Sequence, residues 1–348
     1  MRVERRFLVL RAVRITLAAT ALFIPDSSRA QSAAGRADPG LARLEAEIGR
    51  LTKISGGKVG VGVIHLETGR ELFVNRDEPF PMASTYKVPI AVQLLTKVDS
   101  GRVRLDSLVT LQLSDLHPGS GTLTELFDDP GVALSLRNLL ELMLIISDNS
   151  ATDVVLRTAG AGAAVNARLK TLGVSGVSVD RPTVNLIADA IGVKNLPPEK
   201  ELTIKRFGEL VRAVPEPDRK AASEAFYRDR RDTSTPEGMA RLLEKIWRKQ
   251  ALSPASSDLL LDIMLRCTTG AARIKGYLPP DTPVMHKTGT LGIGVANDVG
   301  IIRLPGDAGH VAVAVFVKES TLDTPTQERA IAQISRAVYD YFTFVTGK

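Results

Sequence analysis

Apolar residues along this chain change spacing twice, from a mixed helical and alternating pattern to a long helical one and then to a period of two. Leu41, Leu44, Ile48 and Leu51 recur at helical intervals. Val59, Val61 and Val63 then alternate with Gly60, Gly62 and Ile64, and a turn at Glu67-Thr68-Gly69-Arg70 returns the chain through residues 72–74. These segments predict a helix and a pair of strands. From Pro81 to about Cys267 the spacing is helical. Residues 134–146 form a mostly apolar run broken by Ser135, Arg137, Asn138 and Glu141, as suits a helix in the middle of a helical layer. Residues 236–249 and 256–265 predict two further amphipathic helices. After Gly270 the period returns to two in residues 284–288, 299–304 and 311–317, with Pro305-Gly306-Asp307 marking a turn, and residues 328–342 predict a closing helix. Two strands before the helical block and three after it predict an α/β fold. A five-stranded antiparallel sheet with flanking helices comes from residues 38–80 and 270–348, and an all-α domain, 81–269, is inserted. A ligand site is expected at the junction.

The first thirty residues do not belong to that fold. Arg2, Arg5, Arg6, Arg11 and Arg14 precede an apolar stretch at 15–24, and Ser28-Arg29-Ala30 supplies the small residues a signal peptidase reads. The apolar stretch is about half the length that spans a bilayer. Cleavage is therefore expected near Ala30, with a mature chain from Gln31 that carries no membrane span and resides in the periplasm or medium. Export by the general secretory route fits better than a twin-arginine signal, because the residues after Arg5-Arg6 match that pattern poorly. The segment holds six Arg against Glu4 and Asp26, so the formal charge beyond it falls from +6 to +2. With 5% aromatic residues and no basic stripe, nucleic acid is not an expected partner. The single cysteine, Cys267, excludes an intramolecular disulfide and reads as a small buried residue near a helix end. His65, His117, His286 and His310 lack metal-ligand spacing, and no metal or cofactor is expected. The glycines at 57–62 and 289–294 open no helix of a βαβ unit, which argues against phosphate loops.

Three short strings carry the chemistry: Ser84-Thr85-Tyr86-Lys87, Ser147-Asp148-Asn149 and Lys287-Thr288-Gly289. Together they supply a hydroxyl nucleophile, an amine to take its proton, a second hydroxyl to relay it and a cationic wall, as a serine acyl-transfer site requires. Ser84 sits where strand text gives way to helix text, and Lys87, three residues on, falls on the same helical face. A lysine accepts a proton only when neutral, so burial and nearby cations such as Lys287 must depress its pKa. Pro89 removes an N–H early in that helix and predicts a local distortion. A second S-x-x-K, Ser55-Gly56-Gly57-Lys58, has no companion strings and reads as a surface turn.

In these strings, their order, Arg231-Asp232-Thr233-Ser234-Thr235-Pro236 and Asn297-Asp298-Val299-Gly300, the chain resembles the penicillin-recognising serine hydrolases, most closely the class A β-lactamases, over residues 40–345. The resemblance implies that Ser147 relays a proton to the leaving nitrogen and that Asn149 holds the substrate's side-chain amide. It implies that Lys287 and Thr288, on the strand that carries Gly289, meet the substrate carboxylate, and that the N–H groups of Ser84 and Thr290 form an oxyanion hole. Asp148 reads as a group that holds its loop; Asn185 is an expected substrate contact, and His117, in a loop that flanks the cleft in the family, reads equally as a residue that stacks on substrate or as a solvated loop histidine. One family motif, Glu-Pro-x-x-Asn, is broken. Pro182 and Asn185 align, but Arg181 stands at the glutamate, which in the family activates the water that frees the acylated serine. Arginine cannot act as a base. Asp180 is the expected substitute, with Asp189, Glu199 and Glu201 as alternatives, and residues 196–227 predict an extra helix with loops. The expected protein is an exported, monomeric serine β-lactamase with slow deacylation, acting on a β-lactam or peptidoglycan-derived substrate. A D,D-peptidase or β-lactam-binding protein with little turnover, and a non-catalytic peptidoglycan or β-lactam sensor, are the alternatives.

Overall fold

The computed structural model describes residues 38–117, 119–127 and 131–346, so the expected signal segment lies outside the described residues. Helix α1 (Pro39–Leu51) leads into strands β1 (Lys58–His65) and β2 (Glu71–Val74). The helical block follows as α2 (Lys87–Asp99), α3 (Leu136–Ile145), α4 (Asn149–Ala159) and α5 (Thr183–Ile191). It continues through α6 (Ile204–Ala213), α7 (Glu216–Phe226), α8 (Pro236–Trp247) and α9 (Pro254–Leu265). Strands β3 (Val284–Leu291), β4 (Val295–Arg303) and β5 (His310–Lys318) and helix α10 (Thr324–Thr346) complete the chain. The sheet order is β2-β1-β5-β4-β3, antiparallel throughout, with β3 at one edge.

The sheet separates two cores. Val59, Val61 and Val63 of β1 and Val313, Val315 and Val317 of β5 pack with Ile48 of α1 and Ile331, Ile334 and Val338 of α10. Ala312, Ala314 and Phe316 of β5 face the opposite way and join the core built from α2, α3, α4 and α8. The glycines of β1 lie on this second face. A Cβ at Gly62 would stand 2.3 Å from the Pro236 carbonyl, and one at Gly60 would stand 2.4 Å from the Phe80 ring. The bare face lets the start of α8 lie directly on the strand, so the Val/Gly alternation encodes both strand period and helix approach.

Several sequence expectations are altered. Pro89 causes no distortion: α2 begins at Lys87 after a 3₁₀ turn at Ala83–Tyr86, so Pro89 falls in the first turn, where an N–H has no intrahelical acceptor. Ser55 is buried rather than on the surface, and its hydroxyl donates to the Thr52 carbonyl at 3.0 Å. Residues 196–227 form two helices, α6 and α7, instead of one. Helix α7 runs antiparallel to α5: Ser223 Oγ donates to the Ala190 carbonyl, while Asp229, just past α7, meets Arg181, just before α5.

The close approach at β1 predicts that Gly62→Ala costs about 1–3 kcal/mol, the usual cost of overpacking. Gly49→Ala, in α1 with open space around the added methyl, should stabilise by about 0.5–1 kcal/mol. Urea denaturation of the two variants checks both signs, and equal midpoints would refute the packing argument.

Candidate active site

The turn that presents Ser84 is held from three sides. Ala83 adopts a left-handed φ of 48°, and the Met82 N–H donates to the Asp232 carbonyl at 3.0 Å. The buried Asn297 carboxamide of β4 donates to the carbonyls of Pro81 and Met82, both at 2.9 Å. Gly289 of β3 lies against the same turn: a Cβ there would be 2.5 Å from the Met82 carbonyl and 3.0 Å from Ser84 N. Only glycine allows the β3 backbone to come this close.

Lys87 is fully buried, and its Nζ donates to Ser147 O at 2.7 Å, Ser147 Oγ at 3.1 Å and Asn149 Oδ1 at 2.9 Å. Lys287 approaches from β3 and donates to the same Ser147 Oγ at 2.9 Å. Burial, reinforced by the Lys287 charge, holds Lys87 well below the usual lysine range. Burial also lowers Lys287, to about 8, although Cys267 and Asp298 oppose the shift. Ser147 reaches this position through a left-handed φ of 64°. Asp148 secures the loop by accepting from Ala151 N at 2.8 Å, Thr122 N at 2.8 Å and Leu123 N at 2.9 Å. Its geometry is that of a loop-holding carboxylate.

Ser84, Ser147, Asn149, Thr288 and Thr290 line one cleft of about 740 Å³. Sequence reasoning missed Arg273 in its wall. This buried guanidinium donates to Gly289 O at 2.9 Å, Asn297 O at 2.8 Å and Thr290 Oγ1 at 2.6 Å, placing a fixed cation behind β3. Its signal was a lone arginine among small residues after Gly270. Sequence reasoning also missed the polar group beneath β3. His286 Nδ1 lies 2.9 Å from Asp298 Oδ1, and although burial would lower this imidazole, the carboxylate lifts it to about 9. Burial would raise the Cys267 thiol, but His286 brings it down to about 7. Cys267 is thus electrostatically coupled to His286 and Lys287 as well as being a small buried residue.

Two expected substrate contacts lie elsewhere. His117 and Asn185 line a separate cavity of about 90 Å³ with Asp153 and Leu202, and neither lines the main cleft. His117 is buried because Ser150 Oγ accepts its N–H at 2.8 Å, and Thr124 Oγ1 donates to its carbonyl at 2.7 Å. Asn185 follows it there because its part of α5 turns toward that cavity.

Arg181 does not replace a cleft carboxylate either. Its Nε donates to Asp232 Oδ2 at 2.6 Å, and its Nη1 donates to Asp189 Oδ2 at 2.6 Å and Asp229 Oδ2 at 3.1 Å. Arg181 and Asp232 are both buried, so this is an internal ion pair that ties the start of α5 to the chain before α8. Asp180 is part of the same brace: its Oδ2 accepts from Asp232 N at 2.9 Å, and its own N–H donates to Asp232 Oδ1 at 2.7 Å. The expected substitute base is therefore committed to structure and does not line the cleft. The residue of this segment that does line it is Thr183, whose Oγ1 lies 2.5 Å from the Tyr86 hydroxyl. Beyond it, Leu186, Ile187, Ala190 and Ile191 of α5 make an apolar wall. Helix α7 extends that wall, and the hydroxyl of Tyr227, the residue that follows it, donates to the Ile293 carbonyl in the turn between β3 and β4.

A serine and a second hydroxyl in one cleft beside an edge strand, with two buried lysines bonded to that hydroxyl from behind, define a serine acyl-transfer enzyme of the penicillin-recognising kind. The chain belongs to the β-lactamase enzyme family, class A, with the family model matching residues 43–342. It is 29% identical to the extended-spectrum β-lactamase PER-1 of Pseudomonas aeruginosa, over 81% of this chain and 82% of that protein. Among solved structures, a β-lactamase from Chitinophaga pinensis is 29% identical with a TM-score of 0.70, covering 86% of this chain and 98% of the other. An ancestral class A β-lactamase is 32% identical with a TM-score of 0.68, covering 85% and 99%.

The brace around Arg181 gives a stability prediction. Arg181→Met should destabilise the protein by about 3–5 kcal/mol, because it leaves the buried Asp232 carboxylate without its cation. Thermal unfolding checks this, and an unchanged midpoint would show that the pair is dispensable.

Proposed function

We propose that the protein is an exported β-lactam hydrolase that works through an acyl-enzyme on Ser84. Attack by Ser84 Oγ on the lactam carbonyl forms the ester and breaks the C–N bond. Lys87 receives the hydroxyl proton, and Ser147 passes a proton to the departing nitrogen. The N–H groups of Ser84 and Thr290 stabilise the oxyanion. Lys287, Thr288 and Arg273 hold the substrate carboxylate, while Asn149 holds the side-chain amide. The observation that carries this reading is the convergence of Lys87 and Lys287 on one hydroxyl, Ser147 Oγ, in the cleft that Ser84 lines. A small-molecule substrate fits that cleft. Among the described residues no helix is long and apolar enough to cross a membrane. We place the mature protein outside the cytoplasm as a monomer, on the strength of the residues at 1–30 and its family. A penicillin-binding protein with little turnover is the second reading, favoured by the commitment of Arg181 and Asp180 to structure rather than to the cleft.

Intact-mass measurement with a penicillin should show one covalent adduct, lost in Ser84→Ala and retained in Ser55→Ala. Stopped-flow traces should show a burst followed by slower turnover. Labelling that survives Ser84→Ala would remove the nucleophile assignment.

Lys287 also gives a pH prediction. With its pKa lowered to about 8, it is charged below that pH and loses its charge as the pH rises through it. KM for a carboxylate-bearing penicillin should therefore rise above about pH 8. Cys267 opposes the lowering of Lys287, so Cys267→Ala should move the rise to lower pH. A KM–pH profile unchanged by Cys267→Ala would break the link between the thiol and the carboxylate site.

A further inference from the structure

Hydrolysis of an ester on Ser84 requires a base for the attacking water. Of the carboxylates on this side of the molecule, Asp180 is bound to the Asp232 backbone and Asp189 to Arg181, and neither lines the cleft. Asp153 accepts the Thr183 N–H at 2.7 Å and lines the second cavity instead. Glu216 does line the cleft, but at its outer end. Ser223 of α7 meets Ala190 of α5, seven residues along α5 from Thr183. Because the helices are antiparallel, Glu216 lies seven residues further out again. Each interval is about 10 Å of helix, so Glu216 is far from the Tyr86–Thr183 pair at the inner end.

The groups at the inner end are hydroxyls, an amide and the two lysines. With Lys87 neutral, its two amine protons serve Ser147 O and Asn149 Oδ1, so the 3.1 Å contact is donated by Ser147 Oγ to the Nζ lone pair, while Lys287 donates to Oγ and leaves it one lone pair free. Ser147 lines the cleft while Lys87 lies buried behind it, so Ser147 connects Lys87 to solvent in the cleft. Lys287 also donates to the Thr288 carbonyl at 2.9 Å, on the strand that bears the anion-binding side chains.

We infer that Lys87, which takes the Ser84 proton in acylation, is also the base for hydrolysis, where it acts through the Ser147 hydroxyl. This rests on the acylation of Ser84 proposed above. In hydrolysis, water attacks the ester carbonyl and gives a proton to Ser147 Oγ, while the Ser147 proton passes to the neutral Lys87 amine. The tetrahedral adduct collapses with cleavage of the bond between carbon and Ser84 Oγ. Lys87 then returns its proton, by way of Ser147, to that oxygen. The products are the free acid and the enzyme with Lys87 neutral again. No second ionisable group is consumed. The lowering of Lys87 by burial and by Lys287 supplies the neutral amine.

Rapid-quench intact mass with benzylpenicillin measures the decay of the adduct. For the wild-type protein the decay rate should fall where Lys87 becomes protonated on the acid side and be level above that ionisation, whereas decay that is fastest at the acid end overturns the inference. In Lys87→Arg, which keeps a cation but removes the base, the adduct formed on long incubation should persist at least about 10²-fold longer. Thr183→Glu in that background puts a carboxylate on the inner wall and should shorten the lifetime again, showing that the site is intact and lacks only a base. Decay in Lys87→Arg at the wild-type rate, or a 10²-fold loss in Glu216→Gln, assigns the base elsewhere. If Lys87→Arg fails to fold or to acylate, the wild-type profile still decides. Absence of any Ser84 adduct in the wild-type protein would instead remove the underlying acyl-enzyme reading.

Discussion

Two lysine side chains share one serine oxygen in the interior of this protein. Because both amines lie within hydrogen-bonding distance of Ser147 Oγ, they are at most about 6 Å apart. Two full charges at that separation repel by about 3 kcal/mol at an effective dielectric near 20. Burial adds to this, so the arrangement strongly favours one neutral amine, and Lys87 is the one set well below the usual range. The left-handed Ser147, the clamp made by Asp148 and the edge position of β3 all hold that shared oxygen in place.

The sheet was readable because its apolar residues alternate, and where that pattern failed the reason is local. Strand β4 begins at Val295, four residues before the sequence expectation, because Asn297 and Asp298 interrupt the apolar run. Both are buried and bonded, Asn297 to the nucleophile turn and Asp298 to His286. They are polar because the site needs them, which hides the strand they belong to. Helix α7 was faint for the opposite reason: it buries only Phe226 and has little apolar stripe to read.

The site divides in the same way. Ser84, Lys87, Ser147 and Lys287 were legible because short strings fix them, and the structure brings them to one place. Arg181 was misread because its buried partner, Asp232, is about fifty residues away, and no local pattern reports such a pairing. His117 and Asn185 carry side chains suited to a substrate, but which cavity they enter depends on how α4 and α5 pack. Arg273 is one cation whose meaning comes only from the strands folded over it.

Gly289 has a mechanical consequence. With no side chain between them, the β3 backbone and the Met82–Ser84 turn rest directly on one another, and Asn297 of the adjoining strand is bonded to the same turn. A displacement of the sheet edge therefore carries the nucleophile with it. The distance from the serine oxygen to the donors on β3 is set by one short stack of contacts.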